Sequence, residues 1–171
     1  MNETLNILKT RRSIKAYTDK PVTDDLLDQV LEAGLYAPTG RNSQTAVMVA
    51  VRDRETIAYM SRLNAAVLGA DIDPFYGAPC VIVVLADPER DTWIEDGSLV
   101  MGNMMNAAHA LGLGSCWVHR ARQVFDSPEG KALLRKWGVP EHLRGIGNCL
   151  LGYGANTPET KPRVADRIYK K

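Results

Sequence analysis

The sequence contains few cysteines and none of the spacings that cysteine chemistry usually requires. Cys80, Cys116 and Cys149 are its three cysteines, and no two of them form a Cys-x-x-Cys pair. An odd number of cysteines within apolar stretches argues against the disulfide framework of a small secreted domain. Cys116 and His119 alone supply too few ligands for a zinc site. We therefore expect three buried thiols and no metal.

The sequence has no marked excess of either charge and no long hydrophobic segment. Lysine and arginine total 21 against 20 aspartates and glutamates, so the chain lacks the positive excess that holds a nucleic acid. No apolar run approaches the roughly 20 residues of a membrane span, and Met1 to Thr10 lacks the pattern of a secretion signal. We expect a cytoplasmic protein that binds neither nucleic acid nor membrane.

Signatures of several common enzyme classes are also missing. The sequence contains no P-loop, no Gly-x-Ser-x-Gly elbow and no convincing Cys/His pair for nucleophilic catalysis. Gly152-Tyr153-Gly154 follows a predicted strand but lacks the third glycine and the following helix of a dinucleotide-binding fingerprint. A site for an anionic ligand must therefore be built from other residues.

The composition, with 45% hydrophobic and 24% charged residues, is typical of a globular protein, and residues 1–171 fit a single domain. Apolar spacing and capping residues predict helices near Leu5–Leu8, from Thr23 to Leu35, over Asp53–Leu68, over Asp96–Leu113, and from Ser127 to about Gly138. Apolar runs predict strands at Ala46–Val51, Cys80–Ala86, Ser115–Val118 and Ile146–Leu151, the first two buried on both faces.

The predicted helix over Asp96–Leu113 is apolar or small on nearly every side. A helix on the surface of a monomer would carry a polar face. This helix is therefore expected at the centre of the fold or at an interface between subunits.

Two cationic clusters lie near opposite ends of the chain. Arg11, Ser13 and Lys15 alternate, so an extended segment would direct them to one side, with Arg12 between them. Pro162 favours extended backbone at Lys161, which places Lys161 and Arg163 together as a second cluster. Guanidinium and ammonium groups bind phosphate oxygens through charge-assisted hydrogen bonds. If the clusters meet they can hold a phosphomonoester, whereas either one alone is more simply a set of solvated surface charges.

Five short segments follow one another in order over nearly the whole chain. They are Arg11–Tyr17 with Pro21-Val22, Ala37–Gln44, Gly77-Ala78-Pro79, the Asp96–Ala110 helix leading into Gly112–Trp117, and Leu151-Gly152-Tyr153 before Lys161-Pro162-Arg163. Each segment is a weak signal by itself. Together, and in register, they resemble the FMN-dependent nitroreductase family.

The resemblance implies an α+β fold, with a nitroreductase-like central mixed β-sheet flanked by helices, in an intertwined homodimer that binds FMN at the subunit interface. It also implies which residues bind the cofactor. Contacts to the ribityl chain, phosphate and pyrimidine edge fall to Arg11, Ser13 and Lys15, and the phosphate pair to Lys161 and Arg163. Pro38, Thr39, Gly40 and Asn42 match a loop that reaches the flavin of the partner subunit. Arg12 and Gln44 complete the predicted cofactor-binding residues.

Trp117, Val118, His119 and Arg120 match the segment that runs along the flavin ring and offers a backbone N–H to its N5 atom. His119 and Arg120 depart from the acidic residue or glycine more usual there. No side chain is assigned a catalytic role, because a flavin performs the hydride chemistry itself.

The implied activity is NAD(P)H-dependent reduction of a small electron-poor acceptor, such as a nitroaromatic or a quinone, by a ping-pong hydride mechanism. The same fold could instead carry a specialised dehydrogenase or reductive dehalogenase, because fold does not fix function. A non-catalytic flavin-binding protein is a third reading. The sequence does not choose between NADH and NADPH as electron donor.

Overall fold

The computed structural model describes residues 2–171, in which helices cover both faces of a four-stranded sheet. The helices are α1 (Glu3–Thr10), α2 (Asp24–Leu35), α3 (Arg54–Leu68), α4 (Trp93–Ala110), α5 (Ala121–Asp126) and α6 (Pro128–Trp137). The strands are β1 (Val47–Val51), β2 (Cys80–Ala86), β3 (Gly114–Val118) and β4 (Arg144–Gly152). A short 3-10 turn, Gly40–Asn42, lies between α2 and β1.

The sheet has the strand order β1-β2-β4-β3, and each neighbouring pair is antiparallel. The α+β fold expected from the sequence is confirmed. We expected a mixed sheet, with both parallel and antiparallel pairing. Within residues 2–171 the parallel pairing consists of one isolated bridge, between Ser13 and Ser115. This bridge places the N-terminal segment at the outer edge of β3.

Strand β2 separates two hydrophobic cores. Val81, Val83 and Leu85 face the core shared with α3, α5 and α6, whereas Ile82 and Val84 face the core shared with α2 and α4. Successive side chains of a strand point to opposite faces, so β2 contributes to both cores and is fully buried, as predicted.

Three local predictions need correction. Strand β1 is not buried on both faces: Ala50 is exposed, because β1 lies at the edge of the sheet and is only partly covered. Thr23 occupies the N-cap position of α2, but its hydroxyl makes no capping hydrogen bond. Helix α4 begins at Trp93 instead of Asp96, and the short helix α5 was not predicted at all.

Helix α4 lies against the sheet with one side buried and another side open. Met101, Met104 and Ala108 are fully buried, whereas Ile94 and Leu99 are 44% and 45% exposed. The remaining open side therefore contains apolar residues, as the sequence of this helix implied. No helix in the described part of the chain has both the length and the hydropathy needed to cross a bilayer.

The three cysteines are buried and free, as predicted. Burial raises the pKa of the Cys80 thiol to about 11 and that of the Cys149 thiol to about 12. Both thiols are therefore protonated at neutral pH and serve as small apolar core residues.

Candidate functional site

The N-terminal segment pairs with two other parts of the chain. The Ile14 N–H donates to the Ser115 carbonyl over 3.0 Å, and the Thr18 N–H donates to the Tyr153 carbonyl over 2.9 Å. The Ala155 N–H donates to the Ala16 carbonyl over 2.9 Å. These bonds hold the segment in extended form between the edge of β3 and the chain that leaves β4.

Three side chains of this segment lie close enough to Cys116 of β3 to affect its thiol. Burial raises the pKa of the Cys116 thiol, and three neighbouring groups oppose that rise. These three groups, which lower the pKa of Cys116, are Lys15, Ser13 and Arg11. All three residues therefore lie near Cys116, and their position on one side of the extended segment stays a prediction.

Arg11 carries the most informative atom of this cluster. Its Nη1 is buried and has no hydrogen-bond partner within residues 2–171. Leaving a buried donor unpaired costs about 1–3 kcal/mol, and more for a charged group, so such atoms often mark a ligand site. The Ser115 hydroxyl, on the residue that bridges to Ser13, is likewise buried and unpaired. Two unsatisfied polar groups therefore lie along the same strip.

One side-chain hydrogen bond joins the N-terminal segment to the segment that carries the second cationic cluster. Arg12 Nη2 donates to the Thr160 hydroxyl over 3.2 Å, which brings the residue before Lys161 against the N-terminal cluster. The Arg12 guanidinium also donates to the Lys9 and Arg11 carbonyls. Lys161 and Arg163 are exposed, and neither forms an ion pair within residues 2–171. The structure thus provides a local concentration of positive charge suited to an anionic ligand.

The loop from Pro38 to Gln44 is anchored by a buried carboxylate on α4. The Gly40 N–H donates to Asp96 Oδ1 over 2.8 Å, and the Thr92 hydroxyl donates to Asp96 Oδ2 over 3.1 Å. The Ser43 hydroxyl also reaches Oδ2, at 3.4 Å. Asp96 is only 2% exposed, so its charge is compensated chiefly by these donors.

The same loop holds several residues in left-handed backbone conformations. Arg41, Asn42 and Gln44 have φ values of 53°, 54° and 50°. The Gln44 N–H donates to the Thr39 hydroxyl over 3.1 Å, and the Gln44 amide donates to Asn42 Oδ1 over 2.9 Å. Unfavourable backbone conformations persist where surrounding contacts impose them, and they cluster at functional sites.

A side chain at Gly40 would be excluded, because its Cβ would lie 2.3 Å from the Thr92 hydroxyl oxygen. Pro38 at the start of the loop is exposed. Within residues 2–171 no hydrogen bond or ion pair joins this loop to the cationic clusters. Within one chain, the predicted site residues of the Pro38–Gln44 loop and those of the cationic clusters therefore form separate groups.

Asn64 of α3 holds the turn that follows β3 in place. The fully buried Asn64 amide donates to the His119 carbonyl over 2.8 Å, and Arg120 Nε donates to Asn64 Oδ1 over 3.0 Å. Arg120 is left-handed with a φ of 74°, and His119 is exposed. The turn at His119 and Arg120, directly after the last residue of β3, is thus held to α3 by two hydrogen bonds of Asn64.

Asn64 and Asp96 are absent from the set of site residues predicted by sequence. Both could have been noticed as polar residues beside apolar ones. Asn64 precedes two alanines, and Asp96 stands at the start of a mainly apolar run. Such residues are buried only when they are hydrogen-bonded, and their partners here are distant in sequence.

Comparison with known proteins identifies the family. A family model described as the nitroreductase family matches residues 8–72 and 70–154. An NADH dehydrogenase of Thermus thermophilus is 41% identical over 184 aligned positions, covering 85% of this chain and 83% of that protein. An FMN reductase [NAD(P)H] of Bacillus subtilis is 26% identical over 181 positions, covering 96% of this chain and 71% of the relative. The crystal structure of a nitroreductase with bound FMN from Bacteroides fragilis superimposes with a TM-score of 0.93 at 31% identity, covering 100% of both chains. The chain belongs to the nitroreductase family.

Proposed function

We propose that this protein binds FMN and uses NADH or NADPH to reduce small electron-poor acceptors such as nitroaromatics or quinones. The observation that carries the proposal is the buried Nη1 of Arg11, which has no hydrogen-bond partner within residues 2–171, and the Arg12–Thr160 hydrogen bond supports it by bringing the residue before Lys161 to the same segment. FMN ends in a phosphomonoester, which is the group that such donors bind best. The names of the FMN reductase and of the FMN-bound nitroreductase support the same cofactor.

The residues present fit this cofactor. Arg11 offers a buried donor without a protein acceptor, and Lys161 and Arg163 offer exposed charges without carboxylate partners in the described part of the chain. In the proposal these three cations hold the phosphate, with Arg12 fixing the C-terminal cluster through Thr160. Ser13 belongs to the same strip and contacts the ribityl chain.

Bound FMN would supply two-electron hydride chemistry, and the protein would supply orientation and charge. Lys15 would hold the pyrimidine edge of the flavin, where its positive charge would favour the uptake of electrons. The backbone of Trp117, Val118, His119 and Arg120 would offer N–H groups along the ring, and Asn64 holds the His119 turn of this segment in place. No side chain is assigned to proton transfer.

The proposal includes a homodimer in which the loop from Pro38 to Gln44, including Thr39, Gly40 and Asn42, serves the partner's flavin. Leu5 and Leu8 of α1 are 50% and 52% exposed, and Leu99 of α4 is exposed as well. We propose that these side chains contribute to the interface between the two subunits. Light scattering at saturating FMN should give twice the mass of the chain, and a persistent monomer would contradict this arrangement.

Reconstitution and steady-state kinetics test the activity. The apoprotein should take up FMN in preference to FAD, and denaturation should release FMN. Donor and acceptor occupy the same flavin face in turn, so initial rates should give parallel double-reciprocal lines. Intersecting lines would indicate a ternary complex and a second substrate site. Failure to bind FMN at micromolar concentration would overturn the proposal itself.

Residues 1–171 act in this proposal as one nitroreductase-like domain. We also propose a cytoplasmic location, a compartment in which NADH and NADPH are available. Multiple turnovers with donor and acceptor would separate an enzyme from a flavin-storage protein. A panel of acceptors would separate general reduction from a specialised dehydrogenase or dehalogenase.

A further inference from the structure

A small recess lies between the start of α4 and the end of β3, beside the turn at His119. Its volume is about 140 Å³. A cavity of about 150 Å³ is enough to hold a benzene ring, so the recess matches one aromatic ring. The side chains that give it its character are Trp93, Ile94, Trp117, His119, Arg122 and Ile146.

The recess combines flat apolar walls with positive charge. The Arg122 guanidinium lies over the Trp93 ring, 5.8 Å from its centroid. Stacking on an aromatic face orients an arginine while leaving its N–H groups free for an anion. Arg122 forms no ion pair with any acidic residue in the described range 2–171. Its charge is therefore available to a ligand in the recess.

Arg144 provides a comparison within the same structure. It also lies over the Trp93 ring, at 5.7 Å, but its guanidinium donates to both carboxylate oxygens of Asp126. The hydrogen bond to Asp126 raises the pKa of Arg144. Of these two arginines on one tryptophan, Arg144 is neutralised by a carboxylate and Arg122 is not.

We infer that this recess selects acceptors whose aromatic ring carries a carboxylate, with Arg122 as the specificity-determining residue. The ring would pack against Trp93 and Ile146, and the carboxylate would pair with the Arg122 guanidinium. Arginine and carboxylate form a bidentate, charge-assisted pair, which a neutral substituent of the same shape cannot form. The inference rests on the proposed function, because it takes the neighbouring Trp117–Arg120 segment to border the flavin ring.

The test compares 4-nitrobenzoate with 4-nitrobenzamide, which differ in charge but little in shape. For the FMN-loaded protein, Arg122→Gln should lower kcat/KM for 4-nitrobenzoate about tenfold or more, and change that for 4-nitrobenzamide by less than about twofold. Arg135→Gln is the matched control, because Arg135 is an exposed arginine paired with Glu141 and does not line the recess. It should leave both values unchanged.

A binding measurement that does not depend on turnover accompanies the kinetics. Benzoate should bind the FMN-loaded protein more tightly than benzamide, and Arg122→Gln should remove that difference, as followed by titration calorimetry. Turnover of both nitro compounds with no preference for charge would overturn this inference alone. An equal loss in the rate of reduction by NADH would also overturn it, by assigning Arg122 to the donor. Absence of turnover with every acceptor would overturn the proposed function and this inference with it.

Discussion

Arg11→Gln is expected to weaken FMN binding about ten- to a hundredfold while leaving riboflavin binding unchanged. Nη1 of Arg11 is buried and unpaired, so its proposed bond to a phosphate oxygen would be charge-assisted and shielded from water. Such a bond contributes about 1.5–3 kcal/mol, which sets the size of the effect. Riboflavin lacks the phosphate and serves as the ligand control.

The measurement is a titration of both flavins into wild-type and variant apoproteins, with thermal melts to verify folding. Arg163→Ala should act in the same direction, because Arg163 is proposed to bind the same phosphate. Arg167→Ala is the matched control, because this nearby exposed arginine is not assigned to the site. An equal loss for FMN and riboflavin in Arg11→Gln would remove Arg11 from the phosphate site, and unchanged FMN affinity would do the same.

Asp96→Ala is expected to lower the free energy of unfolding by about 2–4 kcal/mol. The substitution leaves the Gly40 N–H without its acceptor and removes the partner of the Thr92 hydroxyl. The left-handed residues of the adjoining loop then lose the contact that imposes their conformation. FMN affinity should fall as well if this loop serves the partner's flavin.

Urea unfolding of the apoprotein measures the stability effect directly. Asp96→Asn preserves the shape and one carbonyl acceptor, so its loss should be smaller than that of Asp96→Ala. Glu95→Ala is the control, because the neighbouring Glu95 side chain is exposed. A change below about 1 kcal/mol in Asp96→Ala would show that the buried carboxylate does not anchor the loop.

The features predictable from sequence are those set by local pattern. The apolar run of β2 indicated burial on both faces, and this prediction is confirmed. Alternation at Arg11, Ser13 and Lys15 indicated a shared side, which stays a prediction. The meeting of the two cationic clusters was stated only as a condition. The Arg12–Thr160 hydrogen bond brings the two segments together, and a phosphate site shared by their cations stays a prediction.

The features that sequence did not predict depend on tertiary packing. Asn64 acts on the His119 turn, and Asp96 acts on Gly40, across separations of more than fifty residues in sequence. No local periodicity encodes such a pairing, although a polar residue in an apolar stretch marks where to look for one. The exposure of Ala50 on β1 has the same origin, because strand order is a property of the whole fold.

Anaerobic reduction of the FMN-loaded protein tests the central claim most directly. NADH or NADPH should abolish the visible absorbance of the bound flavin, and a nitroaromatic or quinone should restore it. This cycle should repeat until the donor is exhausted, with more acceptor converted than there is protein present. Bound flavin that neither nicotinamide bleaches, or that no acceptor reoxidises, would contradict a catalytic role for this protein.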